Sequence, residues 1–420
     1  MITKRIFLTT ASLLSMVLAC RLPSVSISPA TGTSEGGLFQ TQPPATDMEV
    51  VATPEITASN IPAGVVVGQD ENTPGVQQFD SVLVFVSTSG TVTGQLNTPG
   101  LDYANPENVH IAGGFCTGIS CNQALPPVAY YSFENGGQIL LNQNGQVSQL
   151  VSLPNYASLH GAPGKPILAY STADYIQNGL MSNLYTGTLQ TIASASPAVN
   201  LAGGDVMAII PVGIQVENDS ATGIWYTQRP YGIGGDIVFD PTQGLWFFNL
   251  VDGSSVEYSS REARSVSMSP DLTWIGVSTG EPGNGELTVY NLYSGQYSTF
   301  SLLSTSDRGA GYAVFSPANQ YVAWMEGSGW TMAEVPDFHP TIRIGLTDGS
   351  LYSDYPDSHF STQLGVDVQW VVPAGWLDEL TLVLEVRSED WSNSWVVKMD
   401  VPTGAVSLLA PGNFAGFYYP

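Results

Sequence analysis

From residue 58 onward, apolar residues alternate with polar ones in short runs, and no long stretch keeps the rhythm of an amphipathic helix. Alternation sends successive side chains to opposite faces, so each run predicts a half-buried strand. Seven times such a run meets a tight turn ending in glycine and another run follows. The turns fall at Gly90, Gly145, Gly187, Gly253, Gly295, Gly349 and Gly404. Asp-Gly, Asn-Gly and Ser-Gly pairs supply the positive φ angles that tight hairpins require. Successive turns lie 55, 42, 66, 42, 54 and 55 residues apart.

Such a period holds about four strands, the repeating unit of a β-propeller. A second marker fixes the phase. Ser269-Pro270 and Ser316-Pro317 stand 47 residues apart, and each is followed by polar or small residues, an aromatic and an apolar run. The Ser-Pro turns are read as joining first to second strands, with the runs at 274–280 and 321–327 as second strands. The glycine turns then join third to fourth strands. Equivalent first or second strands are read at 108–115, 128–133, 167–172, 206–212 and 380–386. The first glycine turn has no full unit before it, and 414–420 follows the last. A ring must hide its end strands, so 414–420 is expected to share a blade with the N-terminal strands, the run at 63–68 serving as second strand. The predicted fold is all-β: a β-propeller of seven four-stranded blades over 58–420, or six if the first hairpin is an addition.

The Ser-Pro turn, aromatic and strand at Ser269–Val277 and Ser316–Trp324 resemble TolB-like and other WD-repeat-like propeller proteins. Leu272 and Ala318-Asn319 depart from the Asp-Gly usual there. The resemblance implies an interaction scaffold in the cell envelope.

Composition narrows the partners. Only 11% of residues are charged, and 36 acidic against 11 basic side chains give a net charge of −25. That charge repels nucleic acid and anionic lipid. Lys4 and Arg5 precede an apolar stretch from Ile6 to Ala19, which reads as a secretory signal over 1–19. Its end, Val17-Leu18-Ala19-Cys20, resembles the lipobox of bacterial lipoproteins, with Val17 and Leu18 departing from the usual pattern. By that resemblance Cys20 carries the lipid, and the membrane is met only through this anchor. Residues 20–57 are rich in Ser, Thr, Pro and Gly and read as a disordered tether. Cys116 and Cys121, with four residues between them in an exported chain, are expected to form a disulfide.

Candidate chemistry sits where connections are long. Second-to-third connections are read at 173–180, 216–244, 281–285, 328–340 and 388–394, all on one side of the sheets, where binding residues gather on a rigid scaffold. Aromatics and Arg dominate interface energetics. The expected ligand- or partner-binding residues are therefore Trp225, Tyr226, Arg229, Asp236, Trp330, Asp337, His339 and Trp391. No catalytic residue is assigned. The Gly-x-Ser-x-Gly pattern at Gly276–Gly280 lies on a strand rather than at a strand-to-helix turn. His110, His160, His339 and His359 show no metal-ligand spacing, and no cofactor is expected. The acidity is compatible with a structural calcium ion, but no loop has the Asp spacing of a calcium motif. The expectation is a monomeric, lipid-anchored extracytoplasmic module that binds a protein or glycan and is not an enzyme. The alternative is a glycoside hydrolase or lyase using funnel carboxylates.

Overall fold

The period of the glycine turns becomes a set of antiparallel sheets in the computed structural model. It describes residues 61–419 apart from 78–81, 98–108, 113–128, 133–135, 144–145, 154–156, 178, 189–190, 204–206, 231–238, 240–241, 279–284, 304–307 and 329–337. The signal and tether (1–57), the lipidation residue Cys20 and the Cys116–Cys121 pair lie outside the described residues. The described residues all belong to one unit, Leu38–Pro420.

β1 (Gly64–Gln69), β2 (Val82–Ser87) and β3 (Val92–Asn97) form a sheet whose fourth member is β27 (Asn413–Tyr418). β27 pairs β1 directly, Gly64 opposite Tyr418 and Val65 opposite Phe417. A second sheet holds β4 (Val109–Ala112), β5 (Ala129–Ser132), β6 (Gly136–Gln143) and β7 (Gln146–Leu153) in order. A third holds β8 (Ser158–Gly161), β9 (Ile167–Ile176), β10 (Gly179–Thr188) and β11 (Val199–Gly203). The next has seven strands: β12 (Met207–Glu217), β13 (Ser220–Pro230), β14 (Gln243–Asn249), β15 (Ser255–Met268), β16 (Trp274–Ser278), β17 (Leu287–Asn291) and β18 (Tyr297–Phe300). Two four-stranded sheets follow. One is β19 (Arg308–Phe315), β20 (Tyr321–Ser328), β21 (Thr341–Leu346) and β22 (Leu351–Pro356). The other is β23 (Val368–Asp378), β24 (Thr381–Ser388), β25 (Ser394–Asp400) and β26 (Ala405–Pro411), preceded by helix α1 (Asp357–Leu364). This mostly β arrangement of four-stranded antiparallel sheets matches a propeller-like fold.

The seven-stranded sheet has a local cause. The first part of β15 pairs β14, and its end pairs β16 through Arg264, Ser267 and Met268. Residues 261–264 contain no Gly or Pro to break the chain, so the strand runs on where other sheets have a connection.

Three sequence expectations are corrected. Gly187 lies inside β10, opposite Leu168, and the chain turns later, through a 3-10 turn at Ile192–Ser194. The connection read at 173–180 is a continuous hairpin of β9 and β10. The connection read at 216–244 contains the whole of β13. Asn218 and Asp219, with φ of 48° and 59°, make a two-residue turn between β12 and β13. Two successive positive φ angles match the twist of a hairpin, and Asn and Asp tolerate them.

Neighbouring sheets pack face to face. Ala323, Met325, Ile342 and Ile344 of one meet Val371, Leu382, Leu384, Val397 and Met399 of the next. Val65, Val67, Val84 and Val86 pack against Val383, Val396 and Leu409. Alternate residues on each strand thus bury into a core between sheets, which is what the period-two pattern encodes.

Charged groups are buried in the same spaces. Glu326 on β20 is fully buried. Its carboxylate accepts from Arg343 Nη1 at 2.6 Å, Arg308 Nε at 2.8 Å and the Leu303 amide at 2.7 Å. Arg343 also donates to Asp354 Oδ1 and the Ser301 carbonyl and lies 5.2 Å from the Trp324 ring. The network pins the segment entering β19 onto its sheet. Glu385 Oε2 accepts the Phe414 amide at 2.9 Å, tying β24 to β27.

Candidate functional site

Second-to-third connections and entries to first strands emerge on one side of the sheets. On this side of the two last sheets, aromatic rings form a chain of contacts. Phe239 meets Tyr312, Tyr312 meets Trp370, and Trp370 touches both Phe338 and Trp391, with centroids 5.5–6.4 Å apart. The rings come from the β13–β14 connection, β19, the β20–β21 connection, β23 and the β24–β25 turn. All but Trp391 are buried or half-buried, so Trp391 is the end that water reaches, at 42% exposure.

The turn that presents Trp391 is built from its polar neighbours. Asp390 Oδ1 accepts from Ser388 Oγ, Ser392 N and Ser392 Oγ at 2.6–3.0 Å. The Ser388 and Ser392 hydroxyls and the Ser392 amide hold the Asp390 carboxyl down at about 2. The closed turn leaves Trp391 at φ 58°, a left-handed conformation that costs a bulky residue free energy. Trp391 Nε1 donates to Gln369 Oε1 at 2.9 Å. Beneath its ring, at 5.3 Å, lies the Arg387 guanidinium, itself 8% exposed. Arg387 Nε reaches Glu385 Oε1 at 3.4 Å, while Nη2 is buried without a partner. A strained, tethered aromatic over a buried cation is a preorganised contact surface.

The sequence-predicted residues separate. Trp391 is in this cluster. His339 lies one residue beyond Phe338, is well exposed, and its Nδ1 meets Asp357 Oδ2 at 2.7 Å at the start of α1. Trp225, Tyr226 and Arg229 are not on a loop, as the sequence suggested, but on β13. Trp225 is 3% exposed and packed on Phe247 and Tyr258. Tyr226 is 6% exposed and stacked on Trp246, and Arg229 is half-buried. The first two are core residues, because β13 is a central strand covered on both faces. Asp236, Trp330 and Asp337 lie outside the described residues.

Sequence reasoning missed Arg387, Trp370 and Gln369. The signal was present: Glu385 and Arg387 are charges inside the otherwise apolar run of β24, in a chain with 11 basic residues. Ser278 of the Gly-x-Ser-x-Gly pattern is buried and donates to the Ala310 carbonyl. Among the described residues no three His, Cys, Asp or Glu side chains converge as metal ligands, and no helix is long and apolar enough to cross a membrane.

No known family pattern matches the sequence, and no curated protein matches it. Solved structures do. The chain is similar to TolB from Acinetobacter baumannii at 16% identity and TM-score 0.38, covering 71% of this chain and 64% of that one. It is similar to a putative TolB from Agrobacterium tumefaciens at 14% identity and TM-score 0.40, covering 80% and 91%. A prolyl endopeptidase gives TM-score 0.51 at 10% identity, covering 85% of this chain and 51% of that one. The chain thus spans less than two thirds of the Acinetobacter protein and about half of the endopeptidase. At these identities the likeness is one of fold.

Proposed function

We propose that this chain is a non-enzymatic, lipid-anchored extracytoplasmic β-propeller that binds a protein or glycan of the cell envelope through the side carrying Trp391. The observation that carries the reading is Trp391 itself: exposed, held at positive φ, and stacked over a buried Arg387. A turn that stores strain to expose a large aromatic favours a contact role, since such residues concentrate at functional sites. The seven-stranded sheet is read as two blades sharing β15, which makes seven, and the pairing of β27 with β1 is read as closing the ring. The two buried glutamates Glu326 and Glu385 are engaged by Arg343, Arg308 and Arg387. Such pairing leaves neither as a free acid or base, which favours binding over glycoside hydrolysis. Cys20 supplies the membrane attachment, and the propeller is monomeric, with no cofactor and no nucleic-acid partner.

The test is retention of envelope components by the immobilised protein, compared with Trp391→Ala. Loss of a specific partner from a variant with unchanged melting supports the reading, and undiminished retention overturns it. Cys20→Ser should release the protein from the membrane fraction and abolish incorporation of labelled palmitate.

A further inference from the structure

The opposite ends of the strands carry a groove of about 600 Å³ that the Trp391 side does not share. It runs beneath the turns of β15–β16, β17–β18 and β19–β20 and reaches the end of β12. Its walls include Trp274, Tyr293, Asn291, Asn319, Asp271 and Glu217. The volume is in the range that holds small molecules.

The hydrogen bonds decide what fits. Asp271 is committed: its carboxylate accepts from Ser269 Oγ, Thr273 N and, through both oxygens, Thr273 Oγ1 at 2.7–3.0 Å. Glu217 accepts from Gln215 Nε2. Asp271 is thus fully engaged, whereas Glu217 is exposed with Oε2 unengaged, and one free carboxylate is too few ligands to hold a metal ion. No Lys, Arg or His lines the groove, so an anion would meet two carboxylates and no counter-charge. Asn319 turns its Oδ1 into the protein, where it is buried without a partner, and spends its Nδ2 on Thr273 Oγ1 at 3.3 Å. An apolar ligand would strip water from Glu217 Oε2 and give nothing in return. Asn291 uses its Oδ1 on the amides of Tyr293 and Ser294, which leaves its Nδ2 as a donor. The groove therefore offers the Glu217 carboxylate as acceptor and Asn291 Nδ2 as donor beside two aromatic rings. A hydroxyl satisfies both kinds of group, and the carbon face of a ring bearing hydroxyls stacks on an aromatic.

We infer that this groove binds a neutral saccharide, with Tyr293 and Trp274 as stacking surfaces and Glu217 and Asn291 as hydroxyl partners. The site is separate from the Trp391 side and does not depend on what binds there.

Isothermal titration of the full chain with maltotriose, cellotriose and tri-N-acetylchitotriose tests it. At least one should bind saturably with Kd below about 1 mM. Glu217→Ala and Tyr293→Ala should each weaken binding at least about tenfold, whereas Leu408→Ala, exposed on β26 and part of neither site, should leave it unchanged. Absence of saturable binding of all three sugars up to about 10 mM overturns the inference. So does binding that survives both groove variants.

Discussion

At the scale of single residues, the buried ionisable groups carry the sharpest consequences. Glu326 sits at full burial between Arg308 and Arg343, where its two partners make the burial tolerable. Glu326→Gln keeps the shape and an acceptor for the Leu303 amide but leaves Arg308 facing no carboxylate and Arg343 facing only Asp354. Removing one partner of a buried pair costs about 3–5 kcal/mol, so the urea midpoint of Glu326→Gln should drop by that equivalent. A smaller loss than from Lys165→Ala, which breaks an exposed pair with Asp219, would refute the assignment. His160 on β8 titrates differently. Burial lowers it from 6.5 to about 4, so between those values the unfolded chain holds a proton the folded chain does not. The contribution is complete above pH 6.5 and is lost as pH falls toward 4. His160→Gln cannot take up that proton. Its stability relative to the natural chain should therefore improve from pH 7.5 to pH 4.5, and a constant difference across that range would show that the histidine is not the titrating group.

At the scale of elements, the two Ser-Pro turns show how far a sequence repeat reaches into structure. The 47-residue offset relates Ser269 to Ser316, Leu272 to Asn319 and Ser265 to Tyr312, and both members of the last two pairs have positive φ. Ser269 Oγ accepts the amides of Thr273 and Trp274, and Ser316 Oγ accepts that of Tyr321. The turns differ in one carboxylate: Asp271 of the first corresponds to Ala318 of the second. The missing carboxylate comes from the next sheet. Glu379, in the β23–β24 turn, accepts from Ser316 Oγ at 2.5 Å, Ala318 N at 2.7 Å and Gln320 N at 3.2 Å. Glu379→Ala should destabilise by about 1–3 kcal/mol by orphaning those donors. Adding Ala318→Asp should restore more than half of the loss, because it returns the carboxylate to the position it holds in the first turn. Thermal melting of the single and double variants checks this, and a double variant no better than Glu379→Ala would refute the equivalence. The same elements show what was legible in sequence. Gly90, Gly253, Gly295, Gly349 and Gly404 all mark turns with positive φ, because few other residues accept that angle. The β12–β13 hairpin was hidden because Asn218-Asp219 makes its turn without glycine. The run of β13 was also interrupted by Thr227 and Gln228, which are polar yet buried. Such a pattern reads as a loop, whereas Trp225 and Tyr226 are buried on a strand. At the candidate site Trp391 was legible as an aromatic in a polar turn. Arg387 stands out in sequence only as a charge inside an apolar run, since its place beneath Trp391 follows from the turn after β24 folding back over it.

At the scale of the whole chain, the proposed ring rests on a pairing between segments about 350 residues apart. β1 lies between β2 and β27, and its three central valines are almost entirely buried. Phe417 fills the space over Gly375, where any side chain would collide with its ring, and Gln69 Nε2 reaches back to the Pro411 carbonyl. These contacts reward closure only after a very long loop has been brought together, so they form late and favour slow folding. Removing 413–420 would leave Val65–Val67 on an unpaired edge, and such an edge recruits other chains. The shortened chain should lose its cooperative urea transition and elute as aggregates in size exclusion. A synthetic peptide of residues 413–420, added in trans, should recover a monomeric peak and a cooperative transition, because the vacated place beside β1 accepts one strand of that sequence. A peptide with Phe414 and Phe417 both replaced by Ala should fail, since those rings touch each other at 5.0 Å and pack on the core shared with β23–β26. If the shortened chain instead melts cooperatively at nearly the original midpoint, the sheets are held by their face-to-face packing alone. The shared sheet would then be an addition to the fold and not its clasp, and the ring would have to be redrawn with one blade fewer.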